Sequence, residues 1–120
     1  MHMPESLRPG FVRQYTRYGH LVLELHGEID ISAAIESAAL LDEITAQHGI
    51  KLIVDLTPIQ FLDCAGLDLL CRAQRRVLER NGTWLLICPH PLTLRLMRMT
   101  RLTERLHPEP TLEHALTAQG

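Results

Sequence analysis

The segment Lys51–Leu70, KLIVDLTPIQFLDCAGLDLL, carries the pattern that decides the fold of this chain. Residues 50–56 are almost continuously apolar, which is typical of a strand covered on both faces of a sheet. Pro58 ends that strand because proline has no backbone N–H to give to a central ladder. Apolar side chains then recur at helical spacing from about Ala65 to Arg80, and Asp63 is placed to cap this helix by accepting a bond from the next amides. The pattern predicts a buried strand that leads through a short loop into an amphipathic helix.

The residues before this segment predict a β-hairpin and a helix. Residues 11–26 alternate as two strands around a turn, and the first strand is expected at a sheet edge. Gly27–Asp30 is expected to break the second strand. A helix follows, capped by Asp30 or Ser32 and ended by Gly49 in the left-handed conformation. Its predicted inner stripe consists of Ile31, Ala34, Ala38, Leu41 and Ile44.

The residues after it continue the alternation. Thr83–Cys88 reads as another buried strand, and a third helix is predicted with Leu92, Leu96 and Met99 on its inner side. A short strand is predicted within 102–106, and a last helical segment at 111–118 begins at a Thr111 cap. The order of elements predicts the α/β class, with a central mixed, mostly parallel sheet and about four helices packed against it.

Length and composition fit one domain over residues 1–120, with 1–9 as a flexible N-terminal segment and 117–120 as a flexible tail. Hydrophobic residues make up 46% of the chain and charged residues 22%, so a real core is available. A net charge of −2 gives no overall attraction to nucleic acid or anionic lipid. The chain shows no leader and no apolar run long enough for a bilayer, and it has three cysteines without CxxC spacing, so we expect a cytoplasmic protein with free thiols.

Three stretches carry a family resemblance: GEID at 27–30, KLIVDLTPIQFLDCAGLDLLCRAQRRV at 51–77 and MTRLTERLHPEPTLEHAL at 99–116. They resemble the STAS domain, the fold of bacterial anti-sigma factor antagonists that occurs also in sulfate transporters. The resemblance spans about Val12 to Leu116. It implies a binding protein that acts by partner switching: it docks on an anti-sigma factor, often a serine kinase of the histidine-kinase-like ATPase type, and so frees a sigma factor. No nucleic acid or membrane partner is implied, and a monomer or weak homodimer is expected.

The resemblance also implies which residues bind the partner. The loop is Asp63, Cys64, Ala65 and Gly66, the helix after it contributes Leu67, Asp68, Arg72, Arg75 and Arg76, and a secondary loop contributes Glu28 and Asp30. The arginines can equally form a solvated helix face, with Asp68 and Arg72 as an i,i+4 ion pair. Glu28 and Asp30 lack histidines at ligand spacing, so a metal or acid–base role is not expected.

Cys64 departs from the family at a regulatory position. Family members carry there a Ser or Thr that the kinase phosphorylates, and the unpaired amides of a helix N-terminus suit a phosphate. A thiol is not a substrate for such kinases, and Ala65 offers no hydroxyl either. The sequence therefore predicts a degenerate phosphosite and phosphorylation-independent binding. Arg101, where relatives often carry glycine, leaves the end of the third helix undetermined.

Other readings stay open. Cys64 can be a small residue that fills a tight turn, or the reactive group of a thiol sensor on the same scaffold. The chain can also be a STAS subunit of a transporter or stress-signalling complex. An enzyme is the least favoured class, because we find no nucleophile–base pair, glycine-rich phosphate loop or metal-ligand set, and no cofactor is expected.

Overall fold

A computed structural model describes residues 10–119, and a mixed sheet with helices on both faces is their framework. The strands are β1 (Phe11–Arg17), β2 (His20–Ile29), β3 (Lys51–Asp55), β4 (Ile59–Leu62), β5 (Thr83–Ile87) and β6 (Pro108–Glu109). The helices are α1 (Ile31–Thr45), α2 (Cys64–Glu79), α3 (Pro91–Met99), α4 (Thr103–Leu106) and α5 (Leu112–Gln119). The expectations for residues 1–9 and Gly120 lie outside the described residues, whereas 117–119 belong to α5.

The sheet has the predicted mixed, mostly parallel character. Its order is β1-β2-β3-β5-β6, and β4 pairs with β2 off this path. β1 and β2 are antiparallel and every other pair is parallel. The hairpin turns at Tyr18 and Gly19, whose φ angles of 53° and 76° suit the twist of the two strands. The hairpin and the edge position of β1 are therefore confirmed.

Both faces of the sheet are covered, as the apolar run of β3 predicts. Leu52 and Val54 point into a large core between the sheet and helices α1 to α4. Ile53 points to the opposite face, where it packs with Ala115 of α5 in a smaller core. Because successive side chains of a strand alternate between faces, one five-residue strand supplies both cores.

The predicted break of β2 at Gly27–Asp30 is wrong. β2 continues to Ile29, with a register shift between Gly27 and Glu28 where Gly27 takes a φ of 74°. Its first half pairs with β3, and its last residues pair with β4. β4 is absent from the sequence-based prediction because its four residues follow a proline and show too short a pattern to separate from a loop.

Helix faces also differ from their predictions. Ile31 of α1 is exposed although it belongs to the predicted inner stripe. In α3 the predicted inner residues Leu92 and Met99 are exposed, and Thr93 and Met97 are buried instead. Short helices leave the choice of inner face to the surrounding packing, since several apolar stripes are available.

Two boundary predictions need correction. α1 ends at Thr45, and Gly49 lies in the turn that follows. Gly49 has the left-handed backbone conformation, and its N–H donates to the Arg80 carbonyl at 2.7 Å. Residues 103–106 form the short helix α4 rather than a strand. The buried Gln74 amide of α2 donates to the Arg105 carbonyl, and the Trp84 indole donates to the Leu106 carbonyl at 3.3 Å, so side chains from other elements hold this turn.

Helices α2 and α3 end in the same motif with a non-glycine residue in the left-handed conformation. After α3, Arg101 has a φ of 60°, its N–H donates to the Arg98 carbonyl at 3.1 Å, and the Leu102 N–H donates to the Met97 carbonyl at 2.8 Å. These two bonds form a Schellman motif, which usually places glycine where Arg101 stands. The helix end that the sequence left undetermined is therefore Thr100–Arg101.

Within residues 10–119, none of the helices combines the length and apolar character that a bilayer crossing requires.

Candidate functional site

The start of α2 is fixed by Asp63, as predicted. β4 delivers Asp63 next to the end of β2, where its N–H donates to the Ile29 carbonyl at 3.4 Å. Its side chain turns back onto the helix, and Oδ1 accepts the Gly66 N–H at 3.1 Å. This bond satisfies one of the amides that a helix N-terminus leaves unpaired. The predicted loop Asp63–Gly66 is thus the cap and first turn of α2, and these two bonds hold it against the sheet.

Gly66 allows α2 to begin this close to the sheet. A Cβ atom on Gly66 would lie 2.7 Å from Cγ of Leu62 and 3.0 Å from the carbonyl oxygen of Ile29. Both distances are shorter than van der Waals contact allows, and one partner is backbone that cannot swing away. The absence of a side chain at Gly66 therefore permits a close approach between the first turn of α2 and the end of β2.

Cys64 is the first residue of α2 and its side chain is exposed. Cys71 lies two turns further along the same helix, about 10.5 Å away at 1.5 Å per residue, beyond the roughly 4.4–6.8 Å between Cα atoms that a disulfide spans. Cys88 is buried at the end of β5. Burial raises the pKa of both the Cys71 and Cys88 thiols. Cys64 is thus the thiol that solvent and a partner protein can reach.

A second helix N-terminus lies beside the first. Ile29 and Leu62 are register partners of the parallel pair β2–β4, so the residues after them, Asp30 and Asp63, leave the same edge of the sheet. Oδ1 of Asp30 accepts the Ala33 N–H at 3.0 Å, which confirms its predicted cap of α1. Glu28, predicted in a loop, lies in β2 opposite Phe61.

Two grooves with exposed apolar side chains flank Cys64. The α1–α2 groove is lined by Ile31, Ile35, Ala38, Ala65 and Leu69, and Ile35 is 70% exposed. The β4–α3 groove is lined by Ile59, Phe61, Leu62, Leu92 and Leu96, and encloses about 350 Å³. Leu62 lines one groove and Ala65 lines the other, so Cys64 lies between the two linings along the chain. Exposed apolar surfaces of this kind mark interaction sites.

Two arginines of the predicted partner-binding helix form hydrogen bonds within the protein. Arg72 donates two hydrogen bonds to Asp42 of α1, at 2.9 and 2.8 Å, so the predicted Asp68–Arg72 pair is wrong. Arg76 donates to the Thr45 hydroxyl at 2.9 Å and to the Asp42 carbonyl at 2.8 Å. These bonds tie α2 to α1. The Arg72 guanidinium also lowers the pKa of the Asp42 carboxyl through this hydrogen bond.

The other residues of the predicted partner-binding helix differ in how far they are buried. Leu67 lies in the core, and Asp68 is exposed at the edge of the α1–α2 groove. Arg75 is exposed, with Glu79 4.0 Å away. Sequence reasoning missed Ile35 and Phe61, whose exposure is visible only once the neighbouring elements are placed. Among residues 10–119 no three His, Cys, Asp or Glu side chains gather as metal ligands would.

Comparison with known proteins adds independent evidence. The model of the STAS domain matches residues 12–115. The anti-sigma-F factor antagonist RsfB of Mycobacterium tuberculosis is 26% identical over 99 residues, which cover 82% of this chain and 80% of RsfB.

Two solved structures share the fold over nearly their whole length. The crystal structure of an anti-sigma factor antagonist from Mycobacterium paratuberculosis is 26% identical with a TM-score of 0.81, and the match covers 98% of this chain and 97% of that one. The crystal structure of a putative anti-sigma factor antagonist from Thermotoga maritima is 17% identical with a TM-score of 0.79, covering 89% and 92% of the two chains.

Proposed function

The chain belongs to the STAS domain family, and on this premise we propose that it is an anti-sigma factor antagonist. The observation that carries the proposal is the placement of an exposed Cys64, at a rigidly capped helix start, between two grooves with exposed apolar side chains. The similarity to an anti-sigma-F factor antagonist of matching length supports the same class of partner.

Binding of the anti-sigma factor uses the loop Asp63–Gly66 and the exposed residues of the α1–α2 groove. Asp63 and Gly66 fix the loop before the partner arrives, so little conformational entropy is lost on docking. Ile35 and Ala65 supply apolar surface, and the exposed Asp68 supplies charge at its rim. Arg75, exposed further along α2, adds charge outside the groove. Occupation of the anti-sigma factor releases its sigma factor, and transcription from the corresponding promoters follows.

Binding is independent of phosphorylation at the loop. The position directly after the motif aspartate is Cys64, and Ala65 follows it, so the loop offers no hydroxyl to a kinase. A phosphate placed here would sit at the unpaired amides of α2 and add about −1.5 to −2 charges to the docking face. Without an acceptor for that phosphate, this off-signal is absent, and the complex is governed by abundance or by another signal.

The partner is a kinase-type anti-sigma factor with a histidine-kinase-like ATPase fold, and the protein acts in the cytoplasm as a monomer or weak homodimer, without nucleic acid or membrane. Calorimetric titration of the purified chain against purified anti-sigma kinases, with ATP and Mg²⁺ present, tests these statements together. Stoichiometric binding with no phosphate on the chain, checked by intact mass, is expected. Failure to bind any such kinase, or stoichiometric phosphorylation of the native chain, overturns the proposal.

A second candidate rests on the exposure of Cys64: a thiol sensor on the same scaffold. The spacing of Cys71 and the burial of Cys88 leave Cys64 no intramolecular disulfide partner, so oxidation would form a sulfenic acid or a mixed disulfide. Peroxide treatment followed by the same titration tests whether the protein is a thiol sensor. A change in affinity that Cys64→Ala abolishes supports the sensor, and an unchanged affinity excludes it.

A further inference from the structure

Charge is distributed very unevenly along this chain. Residues 72–106 contain eight arginines and two acidic residues, Glu79 and Glu104, whereas the whole chain carries a formal charge of −2. This stretch runs from the second half of α2 through β5 to α3 and α4. A strongly positive region on a slightly negative protein creates a local potential that attracts anionic partners.

Several of these arginines are occupied inside the protein. Arg72 and Arg76 bond to α1, and Arg105 donates to the Gln74 side chain at 3.2 Å and to the Cys71 carbonyl at 3.1 Å. Their positive charge is therefore partly neutralised or tied to packing. The predicted arginine surface on α2 is therefore only partly available to bind a partner.

Three arginines on α3 and its C-terminus are different. Arg95, Arg98 and Arg101 recur at three-residue spacing and are all exposed. Their backbones bond within the helix end, but within residues 10–119 none of the three guanidinium groups takes part in a hydrogen bond or an ion pair. Glu104 shares the surface around Arg98 and Arg101 but makes no ion pair with either among the described residues. We call these three residues the arginine row.

The apolar side chains of the same helix lie next to the arginine row. Leu92 is 80% exposed and Met99 is 71% exposed, and with Leu96 they form a stripe at i, i+4 and i+7. The stripe borders the β4–α3 groove, whose opposite wall includes Phe61, 50% exposed. Leaving such side chains in water is unfavourable at about 25 cal/mol per Å² of apolar surface.

We propose that the β4–α3 groove and the arginine row bind an acidic amphipathic segment of a partner protein. Apolar side chains of that segment enter the groove between Phe61 and Leu92, and its carboxylates face Arg95, Arg98 and Arg101. Helical segments commonly dock in this way, with anchors spaced by three or four residues. The groove is concave, and it therefore suits inserted side chains better than the flat surface of a bilayer. This second docking surface shares no lining residue with the α1–α2 groove and does not depend on what binds there.

A synthetic amphipathic peptide of about 15 residues, roughly four helical turns of leucine and glutamate, serves as the probe. Its affinity for the full chain is measured by fluorescence anisotropy, and its footprint by amide chemical shifts of the ¹⁵N-labelled chain. We expect shifts centred on Phe61, Leu92 and Leu96. We also expect affinity to fall several-fold between low salt and about 0.15 M salt, where the Debye length is about 8 Å.

Charge reversal supplies the decisive comparison. Arg95→Glu combined with Arg98→Glu is expected to weaken binding of the acidic peptide at least tenfold, and to create binding of the matched peptide in which lysine replaces glutamate. Arg13→Glu combined with Arg17→Glu makes the same change of charge at exposed positions on β1, outside the groove, and as the control leaves the affinity within about twofold. Leu92→Asp tests the apolar anchor separately, since an 80% exposed side chain can be changed without loss of the fold.

Several outcomes overturn the proposal. One is binding of the lysine peptide to the wild-type chain as tightly as the glutamate peptide. Another is a footprint on the α1–α2 groove. A third is cosedimentation with phosphatidylglycerol vesicles that Leu92→Asp abolishes while no peptide binds, which would assign the surface to a membrane. None of these measurements uses an anti-sigma factor, so their failure is distinct from failure of the proposed function.

Discussion

Asp30 and Asp63 do the same work on two neighbouring helices. Each follows a β-strand, and each accepts with Oδ1 the amide three residues ahead, at 3.0 Å for Asp30 and 3.1 Å for Asp63. The residues before them, Ile29 and Leu62, are register partners in the parallel pair β2–β4. Two capped helix N-termini therefore emerge together from one edge of the sheet, and Cys64 is the first exposed residue of the second.

The α1–α2 groove offers the most direct test of the proposed interface. Ile35→Asp is expected to weaken binding of the anti-sigma factor at least tenfold, because an Ile buried on docking contributes about 1.5–3 kcal/mol and an aspartate there would lose its hydration. Calorimetric titration measures the affinity. Leu78→Asp, 54% exposed on α2 outside both grooves, is the matched control and should bind as the native chain does. Equal affinities for the two variants would place the interface elsewhere.

Cys64→Ser should restore an acceptor for phosphate. With a bound anti-sigma kinase, ATP and Mg²⁺, we expect this variant to gain about one phosphate (+80 Da) and then to lose affinity for the kinase, because a phosphate at the α2 N-terminus alters the charge of the docking face. Intact-mass spectrometry over time reads the result. The native chain and Cys64→Ala stay unmodified under the same conditions. If the serine variant binds the kinase and is never phosphorylated, Cys64 is not a degenerate phosphosite.

Gly66→Ala should destabilise the fold although alanine favours helices. The new Cβ would lie 2.7 Å from Leu62 Cγ and 3.0 Å from the Ile29 carbonyl oxygen. We expect the free energy of unfolding to fall by about 1–3 kcal/mol, the usual range for overpacking, which exceeds the ~1 kcal/mol of helix propensity gained. Urea denaturation followed by circular dichroism measures it. Cys64→Ala, at an exposed position in the same turn, should change stability by less than about 0.5 kcal/mol. A stabilised Gly66→Ala variant would mean that α2 can shift away from the sheet.

Arg101→Gly should stabilise the chain. Arg101 holds the left-handed position of the Schellman motif after α3, with a φ of 60°. The left-handed conformation costs a non-glycine residue about 1–2 kcal/mol. Glycine avoids this cost, but its greater freedom in the unfolded chain offsets part of the gain. A net gain of about 0.5–1 kcal/mol in thermal or urea unfolding is expected. Arg98→Gly, within the helix, should instead cost about 1 kcal/mol. A loss of stability in Arg101→Gly would show that the arginine side chain contributes more than its backbone costs.

The ion pair between Asp42 and Arg72 predicts a pH dependence. The folded state lowers the pKa of the Asp42 carboxyl, chiefly through the hydrogen bond from Arg72. A lowered carboxylate pKa contributes stability above the unfolded pKa, about 3.9 for aspartate, and that contribution is lost as the pH falls through the folded pKa. Asp42→Asn should therefore reduce stability at pH 7 and unfold with a shallower dependence on pH below about 4. Asp68→Asn is the control, because it removes an exposed carboxylate that makes no ion pair among the described residues. This variant should still lose stability at low pH as the native chain does. Parallel acid dependences of Asp42→Asn and the native chain would contradict the prediction.

Local patterns were sufficient for most elements of this fold. The hairpin turn at Tyr18–Gly19, the caps at Asp30, Asp63 and Thr111, and the buried run of β3 were all predictable, because each depends on residues within one turn or one strand of each other. The cap of α2 at Asp63 was predictable for the same reason, whereas the binding role of Asp63–Gly66 is what the family resemblance implies.

Features that join distant segments were not predictable in this way. β4 and the second half of β2 form strands because they pair with each other across more than thirty residues of sequence, as Glu28 does with Phe61. Arg72 bonds to Asp42 rather than Asp68 because α1 packs beside α2. The sheet and α4 cover some of the apolar side chains of α1 and α3 and leave others exposed. Both grooves are formed where these side chains stay exposed.

The amino-acid sequence by itself determined the hairpin, the strands β3 and β5, the helices α1 to α3, the aspartate caps of α1 and α2 and the thiol at the first position of α2. Only the tertiary structure decided which side chains remain outside the core: a helix stripe such as Leu92, Leu96 and Met99 is apolar whether or not it is buried. Burial depends on the area that neighbouring elements can cover, and that is a property of their packing, not of any single segment.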